Sequence, residues 1–260
     1  MGTWFRRTAA TAVGLQIGLP AVAAGCLALI VPIVVPATAT PWSPLSPAAV
    51  AAGFWAAQLW YIGRHTERDE IGRQPLRRFF GLANSVTVLR SGLYSIVAGL
   101  AVTTPTAAVA WLPAVCYGVG AVLDKLDGTV ARTIGRETAL GERLDMTADT
   151  AGFVAAPVVA VAWGLLPWWY LSLSAARYAF LGARWWRRYR GRHLFERPDS
   201  NLGKYLAGVQ MAFLTTVLLP AVPTTLGWYL APVILAPSLA VFGRDMLAIS
   251  GLYPPRHSES

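Results

Sequence analysis

Apolar residues in this chain come in long runs almost free of charge, not in strict alternation. A helix needs about 20 apolar residues to cross a bilayer. Eight runs meet that length with soft ends, at roughly 9–35, 46–63, 85–103, 106–123, 146–165, 167–184, 203–222 and 226–249, each bounded by Pro, Gly or charge. Sheet is disfavoured, because alternation is absent and only helices or closed barrels satisfy backbone polar groups in lipid. The pattern predicts an all-α integral membrane protein with about eight transmembrane helices. The first run, after Met1–Arg7, exceeds the 7–15 residues or so of a signal-peptide core and is read as a retained span.

Charge then orients the spans. One set of connections (36–45, 104–105, 166 and 223–225) holds no Lys, Arg, Asp or Glu, and all 22 basic residues fall on the other side. The positive-inside rule places both termini and the charged loops in the cytoplasm. Between the second and third runs, Thr66–Phe80 mixes Arg68, Arg73, Arg77 and Arg78 with Ile71, Leu76, Phe79 and Phe80, as expected of a segment lying in the cytoplasmic interface.

Composition agrees. The chain is 55% hydrophobic and 13% charged, against about 25% charged in a soluble domain. Its net charge of +9 sits beside apolar runs, which points to anionic membrane lipid and not to nucleic acid. Cys26 and Cys116 lie within apolar runs and form no metal-ligand spacing. Trp185 to Arg190 reads as an interfacial anchor belt. Arg177, inside a span, reads equally as a functional group or as a side chain reaching the interface. Arg244 and Asp245 are expected to pair at the last helix end.

One segment concentrates acid. Asp124 and Asp127 are three residues apart and Asp145 and Asp149 four apart, so each pair shares a helix face. Four carboxylates at the ends of apolar helices repel unless compensated. A divalent cation compensates them, and carboxylate oxygens suit Mg²⁺, Mn²⁺ or Ca²⁺. Gly128 and Ala131 continue the first face with almost no side chain, allowing close approach of a helix or flat ligand. Arg132 adds a cation suited to a phosphate oxygen. Two other classes compete: a transporter, which would carry its ionisable residues near the midplane, and a scaffold in which the acids are a solvated face.

The pattern D-x2-D-G-x2-A-R-x8-G-x3-D-x3-D, filled by Asp124, Asp127, Gly128, Ala131, Arg132, Gly141, Asp145 and Asp149, resembles the signature of the CDP-alcohol phosphatidyltransferases. Eight fixed positions in one short segment are far more specific than a short glycine motif. Asn84, Thr87 and Arg90 look like the Asn-x-x-Thr-x-x-Arg that opens that family's core, and Gly203–Lys204 with Gln210 is similar to a later Gly-Lys. The resemblance implies a six-helix core over 81–250. Before it stand a two-span N-terminal hairpin (1–63) and the interfacial segment (64–80), and after it a cytoplasmic tail (251–260).

It also implies transfer of a phosphatidyl group from a CDP-alcohol, often CDP-diacylglycerol, to an acceptor alcohol, with release of CMP, by a homodimer. Asp124, Asp127, Asp145 and Asp149 carry over as ligands of two Mg²⁺ or Mn²⁺ ions, with Asp149 also the general base. Asn84, Thr87, Asp124, Gly128, Ala131, Arg132 and Gly141 carry over to the nucleotide side. Members with phosphorylated acceptors tend to have Lys or Arg after the last aspartate, where this chain has Thr150. Arg136, Arg143, Arg184 and Lys204 are the candidates for supplying that charge. The stretch Ala148–Pro157 resembles phosphatidylserine synthases.

Overall fold

In the computed structural model, residues 46–69, 82–134, 139–195 and 201–252 are described; 63–69, 82–85, 126–134, 139–140 and 201 are described as helix backbone only. Seven α-helices and no strand occur among them: α1 (Pro47–Asp69), α2 (Leu82–Leu100), α3 (Leu112–Ile134), α4 (Ala139–Ala162), α5 (Ser172–Tyr189), α6 (Asn201–Val217) and α7 (Thr224–Ile249), with a 3₁₀ turn at Trp168–Leu171 before α5. Each of the last seven expected runs has a helical counterpart. The first run, and the interfacial segment beyond Asp69, lie outside the described residues.

The helices around the acidic segment are displaced from the expected runs. The third run was expected to end at 103 and the fourth to begin at 106; helix α2 instead ends at Leu100 and α3 begins only at Leu112. Thr104–Pro105 falls in this break, where Pro restricts the residue before it and offers no N–H. The Trp163 indole N–H donates to the Leu100 and Thr103 carbonyls (3.1 and 3.0 Å), adding to the Thr103 N–H and hydroxyl that already cap the Leu100 carbonyl at the end of α2. Helix α3 then continues to Ile134, and α4 already begins at Ala139. Both aspartate pairs therefore sit inside helices and not on a loop.

Among the described residues, two helical segments, Gly141–Ala162 and Thr224–Ile249, are long and apolar enough to cross a membrane by length and composition; Val86–Leu100 is a shorter apolar one. Along α7, Trp228, Tyr229 and Val233 are exposed, while Ala231 and Leu235 face the interior.

Helix α2 packs against α1, α3 and α4. Tyr94 of α2 is fully buried and lies between two glycines. A Cβ on Gly120 of α3 would stand 2.5 Å from one ring edge, and one on Gly152 of α4 would stand 2.7 Å from the other. Ala148, Ala151, Ala155 and Ala156 line the buried face of α4. Small residues of this kind let backbones approach closely, which is how apolar helices gain dispersion contact where lipid offers no hydrophobic drive.

Candidate active site

One helical turn from the Tyr94 layer lies a layer of charge. Arg90 stands one turn before Tyr94, Asp124 one turn after Gly120, and Asp149 one turn before Gly152, so the close helix packing also gathers these side chains. Arg90 is fully buried. Its guanidinium donates to Asp124 Oδ1, to Asp145 Oδ1 at 2.6 Å and to Asp149 Oδ1 at 3.2 Å. A planar, permanently charged fork is the side chain best suited to bridging several carboxylates without water.

The carboxylates of Asp124, Asp145 and Asp149 offer oxygens within 4.8 Å of one another. Arg90 sets one positive charge against three negative, and the exposed Lys125 adds only a long contact to Asp124 (3.9 Å), so a negative surplus remains. An all-oxygen donor set with that surplus fits a hard divalent cation such as Mg²⁺ or Mn²⁺. The residues present therefore fit the metal that the sequence implies. Asp127, Gly128, Ala131 and Arg132 lie on the last turns of α3, where only backbone is described; the same holds for Asn84 in α2. Thr87 is buried on α2 one turn before Arg90. Gly141 begins the described side of α4, one turn before Asp145. Arg136 lies outside the described residues.

The carboxylates open onto a cavity of about 490 Å³ enclosed by α3, α4, α5, α6 and α7, whose lining includes Asp124, Asp145 and Asp149. Of the basic residues expected on the acceptor side, Lys204 lines this cavity and Arg143 and Arg184 do not. The Arg184 guanidinium lies 5.9 Å from the Phe180 ring centre on α5. Arg177 and Arg244 line the cavity as well. Arg177 donates from Nε to the Thr150 hydroxyl (3.1 Å) and lies 5.3 Å from the Phe153 ring centre. A guanidinium thus reaches, from another helix, the position just after the last aspartate. The expected Arg244–Asp245 pair is present, with Nη2 to Oδ1 at 2.7 Å.

Deeper in the cavity wall, Gln210 is buried and connects three elements. It accepts from the Tyr170 hydroxyl and donates to the Ile234 carbonyl and the Ser238 hydroxyl, both at 3.0 Å. Sequence reasoning assigned no role to Arg90, although the Asn84–Thr87–Arg90 spacing marked the residue. The signal for Arg177 was its charge inside an apolar run.

Helical architecture, clustered carboxylates and signature agree with the comparison to known proteins: the chain belongs to the CDP-alcohol phosphatidyltransferase family, whose model matches residues 80–240. It is also similar to the CDP-diacylglycerol–serine O-phosphatidyltransferase of Mycobacterium leprae (strain TN), at 44% identity over 80 residues, or 30% of this chain. That match spans 25% of the relative's length. No solved structure matches the chain.

Proposed function

We propose that the chain is a membrane enzyme of phospholipid synthesis that transfers a phosphatidyl group from a CDP-alcohol, CDP-diacylglycerol in the first instance, to an acceptor alcohol. The observation that carries this reading is the juxtaposition of Asp124, Asp145 and Asp149 at one wall of a cavity whose partly apolar lining also carries Lys125, Arg177, Lys204 and Arg244.

In this reading the acceptor oxygen bonds to the phosphorus distal to cytidine. The anhydride P–O bond breaks, CMP leaves with the bridging oxygen, and the hydroxyl proton passes to Asp149. Asp124, Asp127, Asp145 and Asp149 would hold two divalent ions, Mg²⁺ or Mn²⁺, which would supply positive charge against the pyrophosphate and departing CMP. Arg90 keeps the carboxylates together and limits their mutual repulsion. Asn84, Thr87, Gly128, Ala131, Arg132 and Gly141 form the nucleotide side.

On the acceptor side, Lys204, one of the four residues expected there, is joined by Arg177 and by Arg244, which is paired with Asp245. Their charge supports an acceptor bearing an anionic group. Serine, the acceptor in the relative's name, meets that description through its carboxylate. The reading extends to a multi-pass cell-membrane protein of about eight spans, with a six-helix core over 81–250, cytoplasmic termini and active site, and a homodimeric state. The charge asymmetry of the connections supports its orientation.

Purified protein in detergent, given CDP-diacylglycerol, Mn²⁺ and a panel of serine, glycerol phosphate and inositol phosphate, tests it directly. CMP release with one acceptor, abolished in Asp149→Asn, is the expected result. No release with any acceptor overturns the reading.

A further inference from the structure

Helix α1 precedes the part of the chain that the family model matches, yet it is joined to the site by buried contacts. Its Gln58 is buried, as are Ser91 and Ser95 of α2. The Ser91 hydroxyl donates to Gln58 Oε1 (2.7 Å), and Gln58 Nε2 donates to the Ser95 hydroxyl (3.0 Å). Ser91 immediately follows Arg90. Trp55 and Ile62 of α1 also form an apolar cluster with Val88 of α2 and Leu144 of α4. Val88 lies two residues before Arg90, and Leu144 immediately precedes Asp145. At the far end of the same interface, a Cβ on Gly99 of α2 would stand 2.5 Å from the Pro47 carbonyl oxygen of α1, so the helices touch along most of their length.

These contacts bear on both partners of the Arg90–Asp145 pair. A buried hydrogen-bonded amide fixes the rotation and height of α2 far more sharply than apolar packing does, because a shift leaves polar groups unpaired in a low-dielectric interior. Leu144 is held on α1 in the same way that Val88 is, so the two helices share one brace. We propose that α1 is a positioning element of the active site: Gln58 sets Arg90 through Ser91 and Ser95, and the Trp55–Ile62 surface sets Asp145 through Leu144. The consequence for function is the spacing of the carboxylates, and through it the affinity for divalent cation and the rate of transfer.

The inference rests on the proposed function only for its kinetic readout. The test uses the full-length chain. Gln58→Leu keeps volume while removing both hydrogen bonds to α2, and Trp60→Ala, on the exposed side of α1, is the control. Mn²⁺ binding is followed by electron paramagnetic resonance titration, and CMP release gives kcat and KM. Gln58→Leu is expected to weaken Mn²⁺ binding several-fold and to lower kcat on the order of tenfold with KM for the CDP-lipid unchanged. In an Arg90→Lys background the same change is expected to have little further effect, since groups acting through one another are not additive. Folded Gln58→Leu with native Mn²⁺ affinity and kcat, or effects that add fully to those of Arg90→Lys, overturn the inference. Should Gln58→Leu fail to fold, Ser91→Ala, which deletes one hydroxyl, is judged by the same two criteria. If the unaltered protein releases no CMP, the proposed function falls, and the Mn²⁺ titration still decides the role of α1.

Discussion

Arg90 and Asp145 meet at 2.6 Å across 55 residues of chain. This contact ties α2 to α4, as the bond to Asp124 ties α2 to α3. The positive centre of the site is therefore a side chain from the helix that precedes the signature, and it is buried while its carboxylate partners reach the cavity.

Removing that centre leaves three carboxylates facing one another. Arg90→Met is expected to destabilise the protein by about 3–5 kcal/mol, the usual result of deleting one partner of a buried ion pair. Added Mn²⁺ is expected to raise the melting temperature of this variant more than that of the unaltered protein, because the cation then provides the missing charge. Thermal unfolding with and without Mn²⁺ measures both effects.

The Tyr94 layer predicts a steric dependence. Gly120→Ala and Gly152→Ala each place a methyl group against a ring that is fully buried, at an expected cost of about 1–3 kcal/mol for overpacking. Gly53→Ala, whose Cβ would meet nothing within 4 Å, is expected to leave the melting temperature unchanged or slightly raised. Replacing Tyr94 by Leu in the Gly120→Ala background should recover part of the loss.

The basic residues separate by place. Arg177→Ala is expected to raise KM for the acceptor by at least tenfold, of the order seen when a charged hydrogen bond is lost, with a smaller effect on KM for the CDP-lipid. Arg184→Ala, on the same helix but away from the cavity, is expected to leave both constants unchanged. Steady-state kinetics with each substrate varied in turn checks this.

The Tyr170–Gln210–Ser238 connection gives a fourth prediction. Tyr170→Phe leaves the Gln210 carbonyl oxygen without its hydroxyl donor, at a cost of about 1–3 kcal/mol for a buried polar group that loses its partner. Because Gln210 and Ser238 line the cavity, a change in acceptor KM is expected alongside the lower melting temperature.

Much of the site was legible from spacing. Asp145 and Asp149 are four residues apart in one helix, so their shared face follows from helical geometry alone. Arg90 was visible as a motif residue but without a partner, since nothing local relates position 90 to positions 124, 145 and 149. Arg143 and Arg184 were reasonable sources of acceptor charge by proximity in sequence. The helix faces put the fellow candidate Lys204 on the cavity, together with Arg177, and leave Arg143 and Arg184 off it.

The amino-acid sequence by itself determined the helical class, the apolar segments and the pairing of aspartates along each helix, though not the helix limits, because the length of apolar runs and the i, i+3 and i, i+4 relations are local. Tertiary structure decided which charge neutralises which. Only the close packing of α2 against α3 and α4, set by Gly120 and Gly152 around Tyr94, brings one buried guanidinium within reach of three distant carboxylates. The Gln58 contact of α1 joins that packing through residues that carry no motif, where buried hydrogen bonds to Ser91 and Ser95 between helices far apart in sequence, and not residue spacing, specify the neighbour.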